Sequence, residues 1–204
     1  MECCGKVICD GCVYANTVRE REEKIESKCP FCRHPATKSH EEAVRNFMKR
    51  VEANDPVALR EEGTRRYNEG EYKITFEYLT KAAELGDVDV HHALSVMYHL
   101  GEGVEKDEKK KLYHLEVAAI GGHPKVRHNL GAVEYENGRH ERAVKHWIIA
   151  ANLGHDNSLN ALKGGYKKGY VSKEDFAAAL RGHQAAVDAT KSPQREAAEA
   201  AILH

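Results

Sequence analysis

From Asp55 onward, alanine, leucine and tyrosine return at regular intervals with glycine between them; before it, apolar positions are sparse. The strongest signal is an Ala-Ala-x-x-Gly core. KAAELGD (81–87), VAAIGGH (117–123) and IAANLGH (149–155) place it at intervals of 36 and then 32 residues. Gly63, Ser95 and Gly131 hold a second equivalent position upstream, at intervals of 32 and 36. The four extra residues belong to the loop GEGVEKD (101–107). A period in the thirties, with β-branched alternation nearly absent, predicts stacked helix pairs.

Each mark in the pattern has a physical role. Gly63 and Gly131 let the first helix of a pair, helix A, approach the second, helix B. Gly70 and Gly138 end helix A in a left-handed conformation. Ala82/Ala83, Ala118/Ala119 and Ala150/Ala151 keep helix B thin where the next pair packs. Leu79, Leu115 and Trp147, one turn earlier, fill the space between helices. Gly86, Gly122 and Gly154 turn the chain into the next unit. Asp55-Pro56 opens the first helix with a cap followed by proline.

A fourth unit follows, and Ser172 with Asp175 opens its second helix as a capping box. Ser192-Pro193 starts a last helix, expected to cap the end of the array. Between the cysteine-rich start and the array lies a charged bridge, residues 36–54, with one amphipathic helix from Glu41 to Val51. The expected organisation is thus a cysteine module (1–35), a helical linker (36–54) and a repeat domain (55–204).

The stretch HHALSVMYHLGEGVEKDEKKKLYHLEVAAIGGH (91–123) resembles the Sel-1-like repeat, a relative of the tetratricopeptide repeat. Gly101, Gly103, Val104 and Asp107 match the loop of that family. The flanking units lack the insertion and read as plain tetratricopeptide-like repeats. The resemblance covers roughly residues 53–190. It implies an all-α superhelical array of about four helix hairpins that binds a protein partner, without catalysis of its own.

All six cysteines fall before residue 33: Cys3, Cys4, Cys9, Cys12, Cys29 and Cys32. Two C-x2-C pairs with sixteen residues between them read as thiolate ligands for Zn2+. CCGKVICDGC followed by CPFCR resembles the later part of a RING finger. On that resemblance Cys3, Cys4, Cys29 and Cys32 hold one zinc, and Cys9 and Cys12 supply half of a second site. The first ligand pair would then lie before Met1, as in a truncated RING protein. Residues 13–28 would form the helix between the pairs. A zinc ribbon using Cys9, Cys12, Cys29 and Cys32 is the alternative. A RING implies docking of a ubiquitin-conjugating enzyme, with Arg33 as the basic residue after the last cysteine. The resulting activity would be that of a RING-type ubiquitin ligase, which supplies no catalytic residue. The competing reading is a non-enzymatic scaffold with a purely structural zinc module.

Composition narrows the rest. The 204 residues carry a formal charge of −1, with no basic excess to argue for nucleic acid. No apolar stretch approaches the ~18 residues of a membrane span. The cysteine usage places the protein inside the cell, in cytoplasm or nucleus. Thirteen histidines are scattered without an H-E-x-x-H pattern, so they are read as surface or packing residues. If helix A lines a groove, Arg60, His92, His128 and Asn160 hold one equivalent column and Tyr67, His99, Tyr135 and Lys167 another. Together they predict a polar, weakly basic groove for an acidic or polar peptide segment.

Overall fold

The structure, a computed structural model, describes residues 9–37 and 39–202. Cys3 and Cys4 lie outside the described residues. The chain divides into two units, one formed by residues 1–59 with 190–204 and one by 60–189. Among the described residues there are eleven helices and no strand; Lys28 and Pro35 form one isolated antiparallel bridge.

The first unit contains α1 (Asp10–Glu23), α2 (His40–Glu52), the start of α3 (Pro56–Asn68) and α11 (Pro193–Ile202). α1 begins three residues before the predicted helix and ends five residues before its predicted end. Cys9, in extended backbone, acts as its N-cap, and Lys24 stops it at φ 52°. The Glu20 side chain explains the stop. It takes the Asn16 amide at 2.7 Å and the Lys28 backbone N–H at 3.4 Å, which gathers the chain beyond the helix end. α2 matches the amphipathic segment, with Ser39 Oγ accepting the Glu42 N–H at 3.2 Å. It buries Ala43 and Val51. Asp55 caps α3 as expected: its Oδ1 accepts the Ala58 N–H at 3.0 Å and pairs with Arg50 at 3.1 Å.

α11 starts at its serine-proline signal, where Ser192 Oγ accepts the Arg195 N–H at 3.2 Å. The sequence reading places this helix at the end of the array. In the structure it packs along α1, within the first unit. Gly11 is buried at that contact, where a methyl would stand 2.7 Å from the Arg195 backbone nitrogen.

The second unit is the array. It continues α3 and adds α4 (Tyr72–Glu84), α5 (Val90–Leu100), α6 (Glu108–Ile120), α7 (Pro124–Glu136), α8 (His140–Asn152), α9 (Asp156–Lys167) and α10 (Lys173–Thr190). Within this unit helices pair inside repeats, α5 on α6 and α7 on α8, and between repeats through α4–α5, α6–α7 and α8–α9. Leu79, Leu115 and Trp147 are all buried between helices, as their spacing predicts. Ala82, Ala118, Ala119, Ala150 and Ala151 are at most 1 % exposed, so the thin face of helix B is used for packing.

The two marks meet each other. A methyl on Gly131 would stand 2.5 Å from Trp147 Nε1, and one on Gly63 would stand 2.9 Å from Leu79 Cδ2. Ser95, at the equivalent place, is buried and folds its hydroxyl back onto the His92 carbonyl at 2.6 Å. The insertion 101–107 lies against the start of α4. Gly103, at φ 71°, has no room for a side chain because of the Tyr72 carbonyl. Asp107 then caps α6 through the Lys109 and Lys110 N–H groups, at 2.9 and 3.0 Å.

Candidate functional sites

The cysteine segment presents two separate turns. At the first, Cys12 and Val13 donate their N–H groups to the Cys9 carbonyl, both at 3.0 Å. The Cys12 backbone N–H, then the Cys12 thiol and the Arg195 guanidinium, lower the Cys9 pKa to about 7. Cys12 is shifted upward because it shares its hydrogen with Cys9. At the second turn, Cys29 donates its N–H to the His34 carbonyl at 2.8 Å and its carbonyl accepts the Arg33 N–H at 2.9 Å. Arg33 closes that turn at φ 60° and is exposed. Cys29 is buried, Cys32 is exposed, and none of these four cysteines is in a disulfide.

A C-x2-C pair on a tight turn is the backbone form of a half-site for zinc, so each pair fits the metal as two of its four ligands. Among the described residues no three metal-ligating side chains converge. The ribbon would need Cys9 and Cys12 to come together with Cys29 and Cys32. The cross-brace needs Cys3 and Cys4 beside Cys29 and Cys32, outside the described residues.

In the array, glycine turns build the next feature. The chain leaves helix B through paired bonds: Gly86, Gly122 and Gly154 donate to Ala83, Ala119 and Ala151 at 3.0, 3.1 and 2.8 Å. The following residues, Asp87, His123 and His155, donate to Ala82, Ala118 and Ala150 at 3.0, 3.2 and 3.1 Å. This Schellman closure fixes where the residue after the glycine points. In each case it meets the helix A column expected to line the groove. Arg60 pairs with Asp87 at 3.0 Å and also with Asp89. His92 stacks on His123 with centroids 5.5 Å apart. His128 meets His155 at 4.8 Å, and the Nδ1 atoms of both lie 3.0 Å from the fully buried Ser158 Oγ. The hydroxyl, with one donor and two acceptor positions, can satisfy both imidazoles at once.

The column Arg60, His92 and His128 therefore joins helix A to the turn after helix B. The sequence contains the signal: Asp87, His123 and His155 follow the column by 27, 31 and 27 residues, the loop insertion accounting for the extra four. Asn160, the fourth member, is exposed.

A fourth contact extends this histidine seam. His91 Nδ1 lies 2.8 Å from His114 Nδ1, and the His114 ring stacks on Tyr98 at 5.5 Å. Burial lowers the pKa of His91, His92, His128 and His155. Burial and the neighbouring His91 and Lys110 push His114 down to about 4. At neutral pH these histidines are uncharged, so they do not make the groove basic.

The second column lies elsewhere, at the tips of the helix hairpins. Tyr67 meets Tyr72 edge-on at 5.2 Å and donates its hydroxyl to Glu102 at 3.0 Å. His99 faces Glu108 at 3.2 Å. Tyr135 contacts His140 at 4.8 Å and accepts a bond from Lys168 Nζ at 2.7 Å. Of the expected groove residues, Tyr67, His99, Asn160 and Lys167 are exposed, while Tyr135, like Arg60, His92 and His128, is half-buried.

These stacked helix hairpins define the class: a helical repeat protein. The Sel1 repeat matches residues 66–87, 88–123 and 124–155. The chain is similar to solved structures, two of which carry the comparison. One is c5321, a protective antigen present in uropathogenic Escherichia coli strains displaying an SLR fold, at 25% identity and TM-score 0.58, covering 72% of this chain. This chain spans only 33% of that antigen. The other is a Sel1 repeat protein from Oxalobacter formigenes, at 25% identity and TM-score 0.59, with 88% of this chain and 70% of that one covered. No curated protein matches the chain. Among the described residues no helix is long and apolar enough to cross a membrane.

Proposed function

We propose that this protein is a binding scaffold whose repeats hold a protein partner and whose N-terminal cysteines take zinc. The carrying observation is the division of labour between the two columns. Arg60, His92 and His128 are spent on joining helices, while Tyr67, His99, Tyr135 and Lys167 stand at equivalent hairpin tips. Aromatic and charged side chains in a repeating register suit an extended polar or acidic segment. The test is capture of partners by the full chain carrying Tyr67→Ala with Lys167→Glu. Reduced capture supports the tips as the binding surface, and unchanged capture sinks it.

The zinc reading rests on two C-x2-C turns that each fit half a tetrahedral thiolate site. Bound metal would supply folding energy to a segment with few apolar residues. Zinc content per chain, measured with Cys→Ser variants, decides the ligand set. Loss in Cys4→Ser with retention in Cys9→Ser supports the cross-brace, and the reverse supports the ribbon. A second reading, a RING-type ubiquitin ligase, is favoured by the exposed Arg33 directly after Cys32, where it can meet a ubiquitin-conjugating enzyme. Autoubiquitination across several conjugating enzymes tests it, and inactivity throughout leaves the scaffold.

A further inference from the structure

The tip of the α7–α8 hairpin carries a cavity of about 520 Å3 lined by Gly138, Arg139, His140, Glu141, Arg142 and Tyr170. Its construction is layered. Behind the two lining arginines lies Glu134, which does not itself line the cavity and whose side chain is 9% exposed. Both arginines reach down to it: Arg139 through Nε, and Arg142 through Nη2 at 3.1 Å. A guanidinium has five N–H donors, so one bond to Glu134 leaves most of each fork unspent. The unspent parts face outward, since the arginine side chains are 47% and 62% exposed. Glu134 thus acts as an anchor that fixes the direction of both forks.

One wall is aromatic. His140 stacks on Tyr170 with centroids 4.1 Å apart and planes 23° apart. Tyr135 backs that pair, 4.8 Å from His140 and 5.6 Å from Trp147. Lys168 reaches the same group, bonded to the Tyr135 hydroxyl and 5.2 Å over its ring. The neighbourhood holds three cations, Arg139, Arg142 and Lys168, against Glu134 and Glu141. The three cations exceed the two carboxylates by one charge, so the neighbourhood is net positive.

We propose that this pocket binds a carboxylate side chain of an acidic peptide segment, with the arginine forks on the carboxylate and the exposed Tyr170 face against the peptide's flank. Planar guanidinium donors match a planar carboxylate in two-bond geometry, and their direction is already set before the ligand arrives. The inference rests on the scaffold reading and assigns that partner a chemistry. It adds Arg139, Arg142 and Tyr170 to the surface, none of which belongs to the columns read from the sequence.

The experiment titrates the full chain into a labelled Glu-rich peptide, with Gln-rich and Lys-rich peptides of equal length beside it, read by fluorescence anisotropy. The Glu-rich peptide should bind about tenfold more tightly than the Gln-rich one, the difference a charge-assisted pair makes, and the Lys-rich one should not bind. Arg142→Gln and Tyr170→Ala should each weaken binding several-fold, while Arg181→Gln, an exposed arginine outside the pocket, should not. Arg142 and Tyr170 are exposed enough for both variants to keep the fold, which helical circular dichroism checks. Added salt should weaken the Glu-rich complex. Equal binding of Glu-rich and Gln-rich peptides overturns the proposal, as does wild-type affinity in Arg142→Gln. Failure here with partner capture still lost in the Tyr67 and Lys167 variant removes the pocket alone. Binding through Arg142 with capture unchanged in that variant removes the hairpin-tip reading and leaves the pocket.

Discussion

Glycine at position 131 and glycine at position 70 are required for different reasons, and substitution separates them. Gly131 is a matter of space, because a methyl there runs into the Trp147 ring. Gly131→Ala should destabilise the array by about 1–3 kcal/mol, the cost of overpacking. Trp147→Leu in the same chain should recover part of the loss, a coupling that a double-mutant cycle in urea would measure. Gly70 is a matter of torsion. Its φ is 80° and a methyl there meets nothing within 4 Å. Gly70→Ala should cost only about 1 kcal/mol, the left-handed penalty, and no change at a neighbouring residue should rescue it. The repeat spacing marks both positions and assigns each its role, and the structure bears both out. What the spacing leaves open is how closely the facing side chain, Trp147, fills the space at Gly131.

Helix ends and helix joints are held by different interactions, and different measurements test them. Ser172 caps α10 by accepting the Asp175 N–H at 3.0 Å while donating to its carboxylate at 2.8 Å. Ser172→Ala should cost about 1 kcal/mol in thermal or urea unfolding. The joints are pH-dependent. His91, His92, His128 and His155 have lowered pKa values in the fold, and His114 is pushed down to about 4. In the unfolded chain a histidine titrates near ~6.5. Below that pH the unfolded chain binds more protons than the folded one, so stability falls on acidification. The contribution is fully present above ~6.5 and is lost as pH falls toward the folded values. Lowering pH from 7.5 to 5 should reduce the melting midpoint by roughly 4 °C or more, about what 1 kcal/mol makes in a domain of this size. His114→Phe should flatten that dependence. An unchanged midpoint would show that the seam opens to water without cost. Asp87 beside His91 and Asp156 beside His155 oppose this shift by favouring the charged form, and Lys125 beside His92 and His155 adds to it.

The whole chain is two units with different sources of stability. Residues 60–189 are held by helix-to-helix burial, from Leu79 and Leu94 through Trp147 to Leu162 and Ala179. The first unit buries far fewer large side chains, its buried apolar residues among those described including Cys29, Ala43, Val51 and Ala198. On the zinc proposal its stability depends on metal. Chelation should therefore raise hydrogen exchange through 9–52 and 193–202 while leaving the array's exchange unchanged. Equal protection of the first unit with and without chelator would count against bound zinc as its stabiliser.

Periodicity is local information, and it determined the elements by itself. The Ala-Ala-x-x-Gly core, the Gly63 and Gly131 marks and the Asp55, Ser172 and Ser192 caps all act within one or two turns of chain. Helix pairs, their ends and their thin faces were therefore legible in order. Which polar residues were consumed by packing was not. Arg60, His92 and His128 share a helix face with exposed positions. Only the tertiary structure brings Asp87, His123 and His155 back against them, across about thirty residues. The Arg139 and Arg142 pocket was hidden for the same reason, since Tyr170 reaches it from the turn beyond α9. The last helix shows the limit most plainly: its serine-proline start is written in sequence, but its packing on α1, from the opposite end of the chain, is a long-range choice that no local pattern encodes.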